Sequence, residues 1–292
     1  MRIAHLSDLH LYVPGSVRAV DLLTRRAAGA LNLLYRRSLH QVDVVRAAVR
    51  AVLEADVDHV VITGDLSNLA LEPEFQLAEE VLAPLGGGDR LSVIPGNHDW
   101  YTYGAVRRRR FESHFSSLIR ADGKPGAVVY PVVKDFPGVR LVLVRSAIIP
   151  PPLLSFGRVG DSQIQKIRAA TEAGHEEGRV VIVALHHNLH RRGMVNETIG
   201  RLLDRSRVRE GLAASAVDVV LTGHDHKPKE FVIPHADGGG AVRVLACGST
   251  SLDAPEHGRA GRFNILDLAD GRLTVERWQY RHPEKRFVPE AG

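Results

Sequence analysis

With 292 residues and an apolar share of 44%, the chain has the size and composition of a globular protein that buries a full core. Its one cysteine, Cys247, excludes an internal disulfide and any Cys-rich zinc site, and no apolar run reaches the ~18 residues that a membrane-spanning helix needs. A formal net charge of +4 suits an anionic substrate or membrane surface without implying nucleic acid, and no stable nucleic-acid partner is expected.

The chain opens with a strand-like run at 2–6 that lacks the basic start and small-residue cleavage site of a signal peptide, so a cytoplasmic protein is expected. A segment at 11–40 follows, far longer than the usual 2–6 residues between a strand and its helix. Its five arginines oppose one aspartate, and it reads as an inserted, basic, amphipathic helical segment. Helical and strand periods then alternate: helix 41–55, strand 57–63, helix 72–82, strand 90–94 and one helix at 106–119. Strands at 127–133 and 139–145 precede helix 162–173, strand 179–185, helix 194–203 and strand 217–222. Strands at 230–233, 241–246, 262–267 and 272–279 complete the chain, with Gly-rich turns between them such as Asp237-Gly238-Gly239-Gly240. Alternation followed by a run of strands predicts two packed sheets flanked by helices, in one domain over 1–292.

Five of these strands end in side chains that bind metals. In order they give Asp8-Leu9-His10, Gly64-Asp65, Gly96-Asn97-His98-Asp99, His186-His187 and Gly223-His224-Asp225-His226. Each motif alone carries little information, but five in sequence, all at strand ends, do not arise by coincidence. The carboxyl ends of strands line the ligand crevice of an open α/β sheet, and five such ends of one sheet converge on one place. Residues i and i+2 of an extended chain point to one side, so Asp8 with His10, and His224 with His226, aim two donors together. Glycines at 64, 96 and 223 allow the sharp exit and the close approach of the backbone to bound ions. Carboxylate, imidazole and amide donors without thiolate select Mn, Fe, Zn or similar ions, and a pair of them ~3.5–4 Å apart suits displacement at phosphorus. The 11–40 segment begins just after the first of these donors and is expected to overhang the site.

These motifs resemble the signature of the calcineurin-like metallophosphoesterase family, and the resemblance runs from Arg2 to about Phe263. The opening Arg2-Ile3-Ala4-His5-Leu6-Ser7-Asp8-Leu9-His10 is most similar to bacterial members related to class III cyclic nucleotide phosphodiesterases. The resemblance implies an α/β fold, a four-layer αββα sandwich of two mixed β-sheets. It also implies two metal ions, one held by Asp8, His10, Asp65 and His226 and the other by Asp65, Asn97, His186 and His224. Asp65 would bridge them, and a metal-activated hydroxide would attack the phosphoester. His98 would stabilise developing charge or protonate the leaving group, with Asp99 accepting a ring N–H to orient it.

Other histidines read as support or packing. His5 is expected in the core, His59 at the surface, and His187 turned away from the donors by strand alternation. His190, Arg191 and Arg192 are candidates for phosphate contact, although Asn188 stands where many relatives have proline. Arg107 to Arg110 on one helix would face all sides, a solvated surface, and Cys247 is expected to be buried packing. The expected substrate is a small or nucleotide-type phosphodiester. The alternative is a lipid-linked diphosphate of the UDP-2,3-diacylglucosamine type, reached at the inner face of a membrane through peripheral contact of 17–37. A nuclease or a non-catalytic scaffold is less consistent with the intact donor set.

Overall fold

The computed structural model describes residues 1–18, 39–269 and 272–290. Residues 19–38 of the expected insert at 11–40, and all but 17 and 18 of the membrane contact assigned to 17–37, therefore lie outside the described residues.

Two six-stranded mixed sheets carry the fold. The first has the order β14-β13-β12-β1-β2-β3, built from β1 (Arg2–Leu6), β2 (His59–Ile62), β3 (Leu91–Val93), β12 (Arg262–Ala269), β13 (Arg272–Arg281) and β14 (Arg286–Pro289). The second has the order β4-β5-β6-β7-β9-β8, from β4 (Val132–Phe136), β5 (Val139–Leu143), β6 (Val180–Ala184), β7 (Val219–Thr222), β8 (Pro228–Pro234) and β9 (Ala241–Cys247). Strands β1, β2 and β3 run parallel, as do β5, β6, β7 and β9, while the outer strands pair antiparallel. A two-stranded hairpin, β10 (Asp253–Ala254) with β11 (Arg259–Ala260), stands beside them.

Side-chain alternation explains the layering. In the second sheet Leu141, Leu143, Ile182, Ala184, Leu221 and Leu245 join the core shared with the first sheet. Their neighbours Val142, Val144, Val183, Val220 and Val244 pack on the other face against Ile167, Val208 and Leu212. Those three residues belong to α5 (Asp161–Glu176) and α7 (Arg205–Ala213). The outer face of the first sheet is covered by α1 (Val42–Glu54), α2 (Glu72–Leu82) and α4 (Arg110–Ile119), whose Val45, Ala48, Phe75, Phe111 and Phe115 are buried. The order is helix, sheet, sheet, helix.

Several expectations need correction. The single helix at 106–119 is two, α3 (Tyr103–Arg107) and α4, because Arg109 takes a left-handed backbone (φ 49°) between them. Arg110 then turns inward to pair with Glu72 at 3.0 Å, so the arginine run is not one solvated band. The strand expected at 127–133 starts only at Val132, since Pro131 lacks the N–H that a ladder needs. His59 is buried, not superficial, with Nδ1 at 3.0 Å from the Asp89 carbonyl and Nε2 at 2.9 Å from Ser92 Oγ. The sequence pattern also passed over β14, the β10–β11 hairpin and α7, whose apolar residues are too few to show a period.

Candidate metal centre

The five motif-bearing ends do not belong to one sheet. Asp8 and His10 follow β1, Asp65 follows β2, and Asn97 and His98 follow β3 in the first sheet; His186 follows β6 and His224 and His226 follow β7 in the second. The site therefore lies where the carboxyl edges of two sheets meet, and backbone bonds tie neighbouring strand ends together within each edge. Asp8 N–H donates to Gly64 O (3.0 Å), His10 N–H to Asp65 O (2.9 Å) and Gly223 N–H to His186 O (2.9 Å). Across the sheets, His224 N–H donates to the Asp8 carboxylate at 2.9 Å.

Asp8, His10, Asp65, His224 and His226 all take left-handed backbone, with φ between 45° and 72°. The extended-chain reason for pairing i with i+2 is thus wrong: these residues project together from successive strained turns, not from a pleat. Such conformations cost non-glycine residues of order 1–3 kcal/mol each and persist where the surroundings fix them. Glycines permit the crowding. Gly64 has φ +99°, and a Cβ on it would lie 2.6 Å from Gly96 N, while one on Gly96 would strike the Asp65 carboxylate.

The side chains form two clusters. Asp8, His10, Asp65 and His226 bring their donor atoms within 4.8 Å of one another, and so do Asp65, His186 and His224. Asn97 joins the second cluster, its Oδ1 3.1 Å from His186 Nε2. Asp65 Oδ2 stands between the two, 3.8 Å from His10 Nε2 and 3.3 Å from His186 Nε2. In two of the rings the remaining nitrogen is fixed by the frame. His186 Nδ1–H donates to Thr63 O (2.7 Å) and His224 Nε2–H to Gly200 O (2.8 Å), which turns the other nitrogen of each ring inward as a lone-pair donor. His10 and His226 meet Nε2 to Nε2 at 2.9 Å, a convergence of like ends that suits a cation between them. Two buried carboxylates, four imidazoles and an amide fit a pair of divalent ions of the Mn, Fe or Zn kind.

The electrostatics agree with a compressed polar site. Burial opposes ionisation of Asp65, but His186 and His98 beside it hold its carboxyl well below the usual range. Burial likewise opposes charge on His186, yet Asp65 raises it to about 9. His224 is pushed well down by burial and by the neighbouring His187 and His186.

His98 enters the same cleft as Asp65, Asn97, His224 and His226. Its ring lies 4.8 Å from that of His10 and stacks on Tyr101 at 5.8 Å. The role expected for Asp99 is corrected: His98 Nδ1–H donates to the Asn68 carbonyl (2.6 Å), and Asp99 does not orient the ring. Asp99 instead accepts from Ser67 N–H and Oγ–H (both 2.8 Å), Gly96 N–H (2.9 Å) and Leu66 N–H (3.2 Å), fastening the Asp65 turn to the Asn97 turn. Burial and the Asp65 charge raise its carboxyl to about 7.

The three candidate phosphate contacts separate. Arg192 lines the cleft, its guanidinium 3.3 Å from Asp225, which also takes His190 at 3.2 Å. Arg191 is exposed and is not among the cleft-lining residues. His187 is buried behind the donors, bonded to Ser146 Oγ (2.8 Å) and Ser155 O (3.1 Å), and supports His224 by ring contact. His5 lies in the core against Thr63 and Cys247 as expected. Sequence reasoning missed Asn68, Tyr101, His257 and the Ser249 and Ser251 hydroxyls, which donate to Asp8 O at 2.7 and 3.0 Å. Of these only Ser249 carried any signal, in the loop Gly248-Ser249-Thr250.

A family scan matches residues 1–228 to the group described as Calcineurin-like phosphoesterase. The chain belongs to the calcineurin-like phosphoesterase family. A comparison with curated proteins found no match. Among solved structures, this phosphoesterase is similar to a dimetal phosphatase from Danio rerio, at TM-score 0.63 and 14% identity, over 99% of this chain and 98% of that one. It is also similar to purple acid phosphatase PPD1 from yellow lupin seeds, at TM-score 0.61 and 13% identity, over 99% of this chain and 52% of that one. A third is the NAD nucleotidase of Haemophilus influenzae, at TM-score 0.50 and 12% identity, over 100% of this chain and 54% of that one. At these identities the likeness is one of fold. Among the described residues, no helix of this phosphoesterase is long and apolar enough to cross a membrane.

Proposed function

We propose that the chain is a phosphodiesterase that hydrolyses a small or nucleotide-type diester at two divalent metal ions. The observation that carries this reading is Asp65 Oδ2, set between two donor clusters with His98 facing the same cleft. Asp8, His10, Asp65 and His226 would hold one ion, and Asp65, Asn97, His186 and His224 the other. When bound, such a pair neutralises phosphoryl oxygens and lowers the pKa of water toward neutrality. The protein's own part is to fix two of the imidazole donors through Thr63 O and Gly200 O. With Nδ1 donating to Asn68, His98 delivers a proton from Nε2 to the leaving oxygen. Arg192, held by Asp225, places a guanidinium on the cleft wall for a phosphoryl oxygen.

The cleft measures about 960 Å³, with an apolar wall of Pro150, Leu153, Leu154 and Ile199 and a basic one including Lys227, Arg259 and Arg262. Walls from separate parts of the chain favour a substrate with a substituent on each of two ester oxygens, and the opening motif favours a small one. A second reading, a lipid-linked diphosphate of the UDP-2,3-diacylglucosamine type, is favoured by the apolar wall. Leu153 is 78% exposed there, and Met194 and Val195, 86% and 73% exposed, lie on the same short helix as Ile199. With Mn²⁺ supplied, Asp65→Ala or Asn97→Ala is expected to abolish turnover of bis(p-nitrophenyl) phosphate. Near wild-type rates in either purified variant would sink the reading, and faster turnover of a nucleoside-diphosphate lipid than of any small diester would favour the second.

A further inference from the structure

His40 stands outside the seven donors yet beside two of them. Its ring centroid lies 4.5 Å from that of His10 and 5.3 Å from that of His226. The ligand atoms of the three rings lie within 4.8 Å of one another. The position is built, not incidental. Gln41 N–H donates to Ser251 O (2.9 Å) and Asp253 N–H to Leu39 O (2.8 Å), so His40 is clamped on both sides to the 251–253 segment. Ser251 Oγ lies 2.7 Å from His40 Nδ1 and donates its own proton to Asp8 O at 3.0 Å. A hydroxyl has one proton to give, so with that proton on Asp8 the oxygen accepts from Nδ1–H. Nε2 is then the lone-pair nitrogen of the ring. Metal-binding imidazoles are held in this way, their second nitrogen bonded to an oxygen of the frame, and His186 shows the same arrangement through Thr63 O.

We propose that His40 is a further protein ligand, through Nε2, of the ion held by Asp8, His10, Asp65 and His226. The inference rests on the dimetal reading above and gives one of its two positions a third imidazole. It makes that position the richer in nitrogen, and so the more selective for Zn²⁺ or Co²⁺ over Mg²⁺.

The test uses the full chain, stripped of metal, as wild type, His40→Ala and His40→Gln, with Mn²⁺ alone titrated and followed by electron paramagnetic resonance and calorimetry. Wild type is expected to bind two ions. In His40→Ala one of the two affinities should fall roughly 10–100-fold, the scale on which perturbing a metal's surroundings acts, while the other holds. His40→Gln, closer in volume, repeats the measurement should the alanine variant misfold, and its Co²⁺ visible spectrum should differ from that of wild type. Two affinities within twofold of wild type, with an unchanged Co²⁺ spectrum, would overturn the proposal and leave the dimetal reading intact. A wild type that binds fewer than two ions would overturn the dimetal reading and, with it, the role of His40.

Discussion

His98 owes its place to a carbonyl and not to a carboxylate. Its Nδ1–H is given to Asn68 O, and its backbone N–H is tied to Asp65 Oδ1 at 2.8 Å, so the His98 ring and the Asp65 carboxylate are positioned by one another. His98→Asn is expected to lower kcat by about 10²–10⁴ on a diester with an alkyl leaving group, the worth of a positioned acid. The loss should be much smaller with p-nitrophenolate, which leaves without a proton. Equal losses on both substrates in steady-state assays would contradict the acid role. The convergence of the seven candidate donors and His98 was legible because each motif follows a strand and the set is complete. The roles of Asn68 and Asp99 were not, since a backbone carbonyl has no sequence signature and a carboxylate beside a histidine need not face it.

The stretch between β2 and α2 illustrates how an element shapes the site. Glu74, in the first turn of α2 and fully buried, accepts from the N–H groups of Leu69 (2.8 Å), Leu71 (3.1 Å) and Asn68 (3.3 Å). One carboxylate thereby stabilises the helix start and sets the loop whose Asn68 carbonyl holds His98. Glu74→Ala strands three buried donors and should cost about 3 kcal/mol, since a single unsatisfied buried group costs ~1–3 kcal/mol. Chemical denaturation checks the stability, and kcat should fall with it as His98 loses its anchor. A variant as stable and active as wild type would contradict the role. The helix 72–82 itself was plain from its apolar period, with Phe75, Ala78, Val81 and Leu82 buried on one face. By contrast the break at Arg109 was hidden, because a left-handed arginine leaves no mark in a pattern of apolar spacing.

On the scale of the whole molecule, the two sheets are held apart by a shared core and held together at one edge by the site. Three donor-bearing strand ends come from one sheet and two from the other, so the site exists only when both sheets are in place. The alternation of helical and strand segments, followed by a run of strands, made the two sheets readable. Their pairing order was not, because β12, β13 and β14 return from the far end of the chain to flank β1 and no local pattern records that journey. The decisive measurement is metal content by mass spectrometry after loading with Mn²⁺ and desalting. Two ions per chain are expected for wild type, close to one for Asn97→Ala, and a loss from both positions for Asp65→Ala, which removes the carboxylate common to the clusters. A wild-type chain that retains no Mn²⁺, or an Asp65→Ala chain that retains two ions, would contradict the dimetal centre.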